Sequence, residues 1–256
     1  MTGLSTIWAG DSALRWCKVF LLSGLLAIGG QASADGLSQF SGVAPGEKLP
    51  APWRVVAFPG GRKPVSHFSI AQLRGESVLK VETDKSYGSA LHEMAPTVLA
   101  PGSKLRWRWR LDEPLLQTDL RKREGDDSAI KICALFDMGV EKLGVVERTT
   151  LRMARLQTSD PIPAATLCYV WDHALPVGTR LANVYSQRLR FLVVDSGEQK
   201  IGQWVTHEQD LAADFLQAFG HETDTMPPLI GIAVGADSDN TGGKSLAYVG
   251  DLLLQR

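Results

Sequence analysis

The sequence predicts an all-β dominated fold, an antiparallel two-sheet β-sandwich of jelly-roll type with two short helical insertions. Three observations lead there. Roughly ten short segments rich in β-branched and aromatic residues are separated by Gly, Pro and charged turns. These segments are not interleaved regularly with helical patterns, which speaks against βαβ winding. Residues 105–111 (LRWRWRL) put Leu105, Trp107, Trp109 and Leu111 on one strand face and Arg106, Arg108 and Arg110 on the other, because side chains alternate with period two.

Arg15 and Lys18 precede an apolar run at 19–30 (VFLLSGLLAIGG), followed by Gln31-Ala32-Ser33-Ala34. Basic, apolar and small-residue regions in that order make a secretory signal peptide over residues 1–34, cleaved after Ala34. The run is shorter than the ~20 apolar residues of a transmembrane helix. The expectation is an exported, periplasmic protein that does not span the membrane. Residues 35–48 are Gly/Ser/Pro-rich and expected as a flexible lead-in, and 49–256 as a single domain with no internal repeat or linker. The 256 residues carry 27 basic and 28 acidic side chains, a formal net charge of −1 with no basic run, which argues against nucleic acid as a partner.

Residues 53–58 (WRVVAF) form a strand ended by Pro59-Gly60-Gly61, and 67–73, 77–83 (SVLKVET) and 87–93 follow as further strands. Pro101-Gly102 is the turn before the Trp/Arg strand. A polar excursion at 113–125 leads to the strand 128–137 (SAIKICALFD). In 141–157, Leu143, Val146, Thr150, Ala154 and Gln157 fall at helical spacing, and Val145, Leu151, Met153 and Leu156 widen the stripe. This predicts a helix packed on the sheet, ended by Pro161 and Pro163. Residues 165–172 (ATLCYVWD) and 188–195 (RLRFLVVD) are strands, as is 201–205. Thr206 is the expected N-cap of a second helix, with Gln209 completing a capping box and Gly220 ending it. Residues 229–236 and 245–255 are the last strands. Cys133 and Cys168 are left after cleavage, either as a disulfide in an oxidising compartment or as two small buried thiols.

The segments GDDSAIKICALFD, LCYVWD, SGEQKIGQWVTHEQDLAADF and DSDNTGG, together with LRWRWRL, resemble a bacterial family known as domain of unknown function 3047. The resemblance runs from about residue 49 to 256. It implies one exported domain and brings no catalytic residues with it.

Three constellations carry candidate chemistry. Arg106, Arg108 and Arg110, with Arg188 and Arg190 on a neighbouring strand and Asp126, Asp127 and Asp172 nearby, suit an anionic ligand, since guanidinium forks match carboxylates and phosphates. The alternative is a solvated face of surface ion pairs. In residues 237–243 (DSDNTGG), Asp237, Asp239 and Asn240 offer oxygens in the manner of half an EF-hand loop, suiting calcium, although Tyr248 stands where the bidentate Glu belongs. A hairpin turn explains the same residues. Trp171 and Trp204, with Tyr169 and Tyr248, are candidate sugar-stacking platforms, core being the alternative.

Catalytic signals are few. There is no GxSxG, HExxH or P-loop motif, and the five histidines are scattered. Asp172-His173 and Asp126-Asp127 are the candidate acid/base groups. The sequence therefore points to a binding module for a carbohydrate or anionic glycan. A polysaccharide lyase or glycoside hydrolase on the same face, or an envelope interaction protein, are the alternatives.

Overall fold

The computed structural model describes residues 36–256 except 59, 157, 159, 161 and 224. The expected signal peptide lies outside the described residues. The strands are β1 (Arg54–Val56), β2 (His67–Leu73), β3 (Glu76–Asp84), β4 (Tyr87–Thr97), β5 (Lys104–Glu113), β6 (Ser128–Phe136), β7 (Ala165–Asp172), β8 (Arg180–Ala182), β9 (Leu189–Ser196), β10 (Val205–Asp210), β11 (Leu229–Asp237), β12 (Lys244–Val249) and β13 (Leu253–Gln255). Two α-helices join them, α1 (Val145–Arg155) and α2 (Leu211–Phe219).

The strands form two sheets, as the alternation requires. One has the order β1-β4-β11-β6-β7-β9-β8, the other β10-β5-β12-β3-β2 with β13 beside β5. Leu105, Trp107, Trp109 and Leu111 of β5 point inward and are buried. They meet the inward row of the larger sheet, including Ile130, Ile132 and Phe136 of β6 and Leu167, Tyr169 and Trp171 of β7. Each large side chain buried here contributes roughly 2–3 kcal/mol by removal of apolar area from water. Among the paired strands of the described residues, β7 with β9 is the parallel pair, and the rest are antiparallel. The short strand β8, which the sequence did not reveal, lies on the far edge of β9.

Cys133 and Cys168 face each other directly across β6 and β7, Cα atoms 4.0 Å apart, and are joined as a disulfide. Of the two alternatives, the bonded one holds.

Three expectations change. The strand expected at 201–205 lies later, because Val205–Asp210 pairs residue for residue with β5. Thr206 is thus mid-strand, and the N-cap of α2 is Asp210, whose side chain accepts from Ala213 N–H at 2.9 Å. The expected strand 245–255 is divided into β12 and β13, with Gly250 between them close against the Arg108 side chain. Helix α1 buries only Leu151, while Val145, Val146 and Met153 face outward. Residues 36–48 contain no helix or multi-residue strand, yet Leu37 and Phe40 enter the core, and Asp251 accepts from Phe40 N–H at 2.6 Å. No helix among the described residues is long and apolar enough to cross a membrane.

Candidate functional site

Side chains on the outer face of the seven-stranded sheet line a cleft of about 530 Å³. Its floor is the set of residues that period-two alternation turns away from the core: Leu91 on β4, Ala233 on β11, Cys133 on β6, Thr166 and Cys168 on β7, and Phe191 on β9. The disulfide is therefore part of the floor.

Lys131 stands two residues before Cys133, at the polar end. It pairs in register with Gly235 on β11. A Cβ at Gly235 would lie 2.9 Å from Ser89 Oγ and 3.0 Å from Lys131 Cε, so the glycine leaves room for the lysine stem to cross β11. Lys131 Nζ thereby donates to Asp237 Oδ2 at 2.7 Å, and Asp237 Oδ1 accepts from Ser128 N–H at 2.8 Å. Burial pushes the Asp237 carboxyl up to about 6, against the pull of Lys131. Burial also opposes the Lys131 charge, but the field of Asp237 and its neighbours outweighs it and raises that pKa.

Asp127 and Asp239 join this end. Asp127 Oδ2 accepts from the Thr241 N–H and hydroxyl, both at 2.6 Å, and its Oδ1 from Asn240 N–H at 3.2 Å. Asp239 is ion-paired with Lys63. One oxygen each of Asp127, Asp237 and Asp239 lie within 4.8 Å of one another. The loop expected as a calcium site thus contributes Asp237 and Asp239, whereas Asn240 directs its amide to the carbonyls of Arg123 and Asp126. Lys131 and Lys63 pair with two of the three carboxylates, and Asp127 is held by hydrogen bonds to the loop. A calcium ion here would compete with the two ammonium groups for Asp237 and Asp239.

Along the wall, Asp126 Oδ2 accepts from Asn183 Nδ2 at 2.6 Å, and Asn183 Oδ1 accepts from Tyr185 N–H at 2.9 Å. The Tyr185 hydroxyl donates to Arg123 O at 3.2 Å, and the Arg123 guanidinium lies 5.1 Å from the ring centroid. Tyr185 remains 58% exposed. Burial raises the Asp126 pKa, and the charges of Asp127 and Asp239 add to it. Asn183 and Tyr185 were not among the expected site residues. Their only sequence signal is an aromatic residue in a polar loop.

The expected single charged face divides into two. Arg106, Arg108 and Arg110 lie on the outer face of the smaller sheet, on the other side of the sandwich from Asp126 and Asp127. Arg108 pairs with Glu76 and covers the Trp204 ring at 4.7 Å, and Arg110 pairs with Asp112 at 2.6 Å. Arg188 and Arg190, on β9 and its approach, share Glu222. Trp171 is buried, its Nε1–H donating to Gly197 O at 3.0 Å. Tyr169 is buried against Asp214, and Tyr248 pairs in register with Arg110. Asp172 is buried too, and its Oδ1 accepts from the N–H groups of Ala174 and Leu175. His173 approaches Glu198 at 3.7 Å, so the two neighbours Asp172 and His173 turn to different partners. Of the expected ligand residues, Asp126 and Arg188 line the cleft directly, with Asp127 supporting its end, and the expected metal residues Asp237, Asp239 and Asn240 line it too.

Residues 51–253 match the family described as protein of unknown function (DUF3047). No curated protein matches the chain. Among solved structures, the chain is similar to a family 11 carbohydrate-binding module from Clostridium thermocellum, at 10% identity and a TM-score of 0.40, covering 86% of this chain and 94% of that one. It is also similar to endoglucanase 3 of family 12 from Trichoderma harzianum, at 7% identity and a TM-score of 0.41, covering 81% and 99%. A family 12 xyloglucanase from Bacillus licheniformis aligns at 8% identity and a TM-score of 0.40, covering 79% and 96%.

Proposed function

The chain belongs to the family described as protein of unknown function (DUF3047), and we propose that it is a carbohydrate-binding protein whose site is the cleft on the seven-stranded sheet. The observation that carries this is the exposed Tyr185 ring beside the hydrogen-bonded Asp126–Asn183 pair. A sugar ring presents an apolar face to an aromatic side chain and hydroxyls to amides and carboxylates, and the cleft offers both over an apolar floor. The arginine row supports no part of this site, because it lies across the sandwich.

Thermal unfolding of the purified chain against neutral and acidic oligosaccharides tests the reading. A ligand that binds only the folded state raises the midpoint, by about 2.7 kcal/mol of stability at a hundredfold excess over Kd. The expected result is a shift with a neutral oligosaccharide that Tyr185→Ala abolishes and Arg108→Ala preserves. A shift lost with Arg108→Ala and kept with Tyr185→Ala overturns the assignment of the site. Product analysis of the same mixtures distinguishes binding from hydrolysis or elimination.

Export to the periplasm belongs to the same proposal. The Cys133–Cys168 disulfide supports it, since such bonds persist in oxidising compartments. Fractionation of cells producing the full chain tests it.

A further inference from the structure

The charge balance of the cleft points to the kind of sugar it takes. Lys131 is committed to Asp237 at 2.7 Å and Lys63 to Asp239. Asp126 has no ion-pair partner among the described residues. Its Oδ2 accepts from Asn183, and its Oδ1 accepts no hydrogen bond there. With Asp127 behind it, this end sets four carboxylates against two ammonium groups, while the other charged lining groups are paired, Arg188 with Glu222 and Asp160 with Arg54. The guanidinium of Arg123 lies over the Tyr185 ring. A uronate or sulfated sugar would bring further negative charge to a partly desolvated anionic wall. A neutral sugar would leave the wall uncompensated. A protonated amine would compensate it and donate to Asp126 Oδ1.

The geometry points to a glycan bearing free amino groups, a glucosamine-type oligosaccharide, held with its ammonium on Asp126 and its ring near Tyr185. This rests on the carbohydrate reading and narrows it to one substrate class. Asp126 stands in a partly buried cleft beside Asn183, so an ammonium hydrogen-bonded to its carboxylate is screened less than it would be at an open surface.

The test is calorimetric titration of the purified chain, at mildly acid pH, with glucosamine hexasaccharide, its fully N-acetylated counterpart, oligogalacturonate and spermidine. The expected result is that the free-amine hexasaccharide binds about tenfold tighter than the acetylated one, the worth of one charge-assisted hydrogen bond. Asp126→Asn, which keeps an acceptor for Asn183, then brings the two to equal affinity, whereas Arg108→Ala leaves the preference in place. Equal binding of both hexasaccharides by the unmodified chain overturns the amine inference and leaves the carbohydrate reading standing. Tighter binding of oligogalacturonate overturns it as well. Spermidine binding as tightly as the amine hexasaccharide overturns it by showing that charge alone is recognised. If no saccharide binds, the carbohydrate reading falls and this inference with it.

Discussion

Lys131 on β6 reaches across Gly235 to Asp237 on β11, closing a buried ion pair at 2.7 Å that anchors the polar end of the cleft. Removing one partner leaves the other buried and uncompensated. Lys131→Met is therefore expected to cost about 3–5 kcal/mol, and Lys131→Met with Asp237→Asn to recover most of that loss. Urea unfolding of the three proteins measures it. Equal stability of the single and double variants would show that the unpaired Asp237 carboxylate is not the source of the loss.

The disulfide in the cleft floor closes a separation of 35 residues. By loop entropy, replacing both cysteines with serine is expected to lower stability by about 3–4 kcal/mol. Reductant should move the urea midpoint of the unmodified chain to that of the variant and leave the variant unchanged.

Helix α1 gives a paired prediction. Leu151 is its one buried residue, whereas Val146 is 79% exposed. Leu151→Ala is expected to cost about 2–4 kcal/mol, and Val146→Ser to stay within about 0.5 kcal/mol. Comparable losses for both, measured by thermal unfolding, would mean that the outer face of the helix is covered.

A pH effect follows from Asp195 in the core. Burial opposes its charge, but His207, Lys200 at 2.7 Å and Trp109 Nε1–H at 2.8 Å outweigh burial and hold its carboxyl below the ordinary 3.8. A carboxyl lowered in the folded state releases its proton more readily there than in the unfolded chain. Its contribution is therefore full above pH 3.8 and lost as pH falls through the lowered folded value. The unmodified chain is expected to lose stability in that acid window. Asp195→Asn should begin less stable at neutral pH and lose less there. Parallel acid limbs for the two proteins would sink the assignment.

Residues 105–111 carry their strand faces in the sequence alone. Alternation is a property of the extended backbone itself, so the inward tryptophans and outward arginines followed from seven consecutive residues. The same local logic located β2, β6, β7 and most of β11 within a residue or two. Val205–Asp210 shows where it stopped. Its six residues are polar enough to begin a helix, and pairing with β5, about a hundred residues away, holds them extended. Helix α1 shows the converse, since its periodicity was real but only one residue of its stripe found a partner.

The sequence by itself determined the β-sandwich class, the family and the alternation of faces, because each is written in neighbouring residues. Only the tertiary structure decided that Asp126 and Arg108 lie on opposite outer faces, that Cys133 meets Cys168, and that Asn183 and Tyr185 stand beside Asp126. Strand order sets those relations. It is chosen by the joint burial of two sheets, a condition on residues far apart in the chain that no local pattern records.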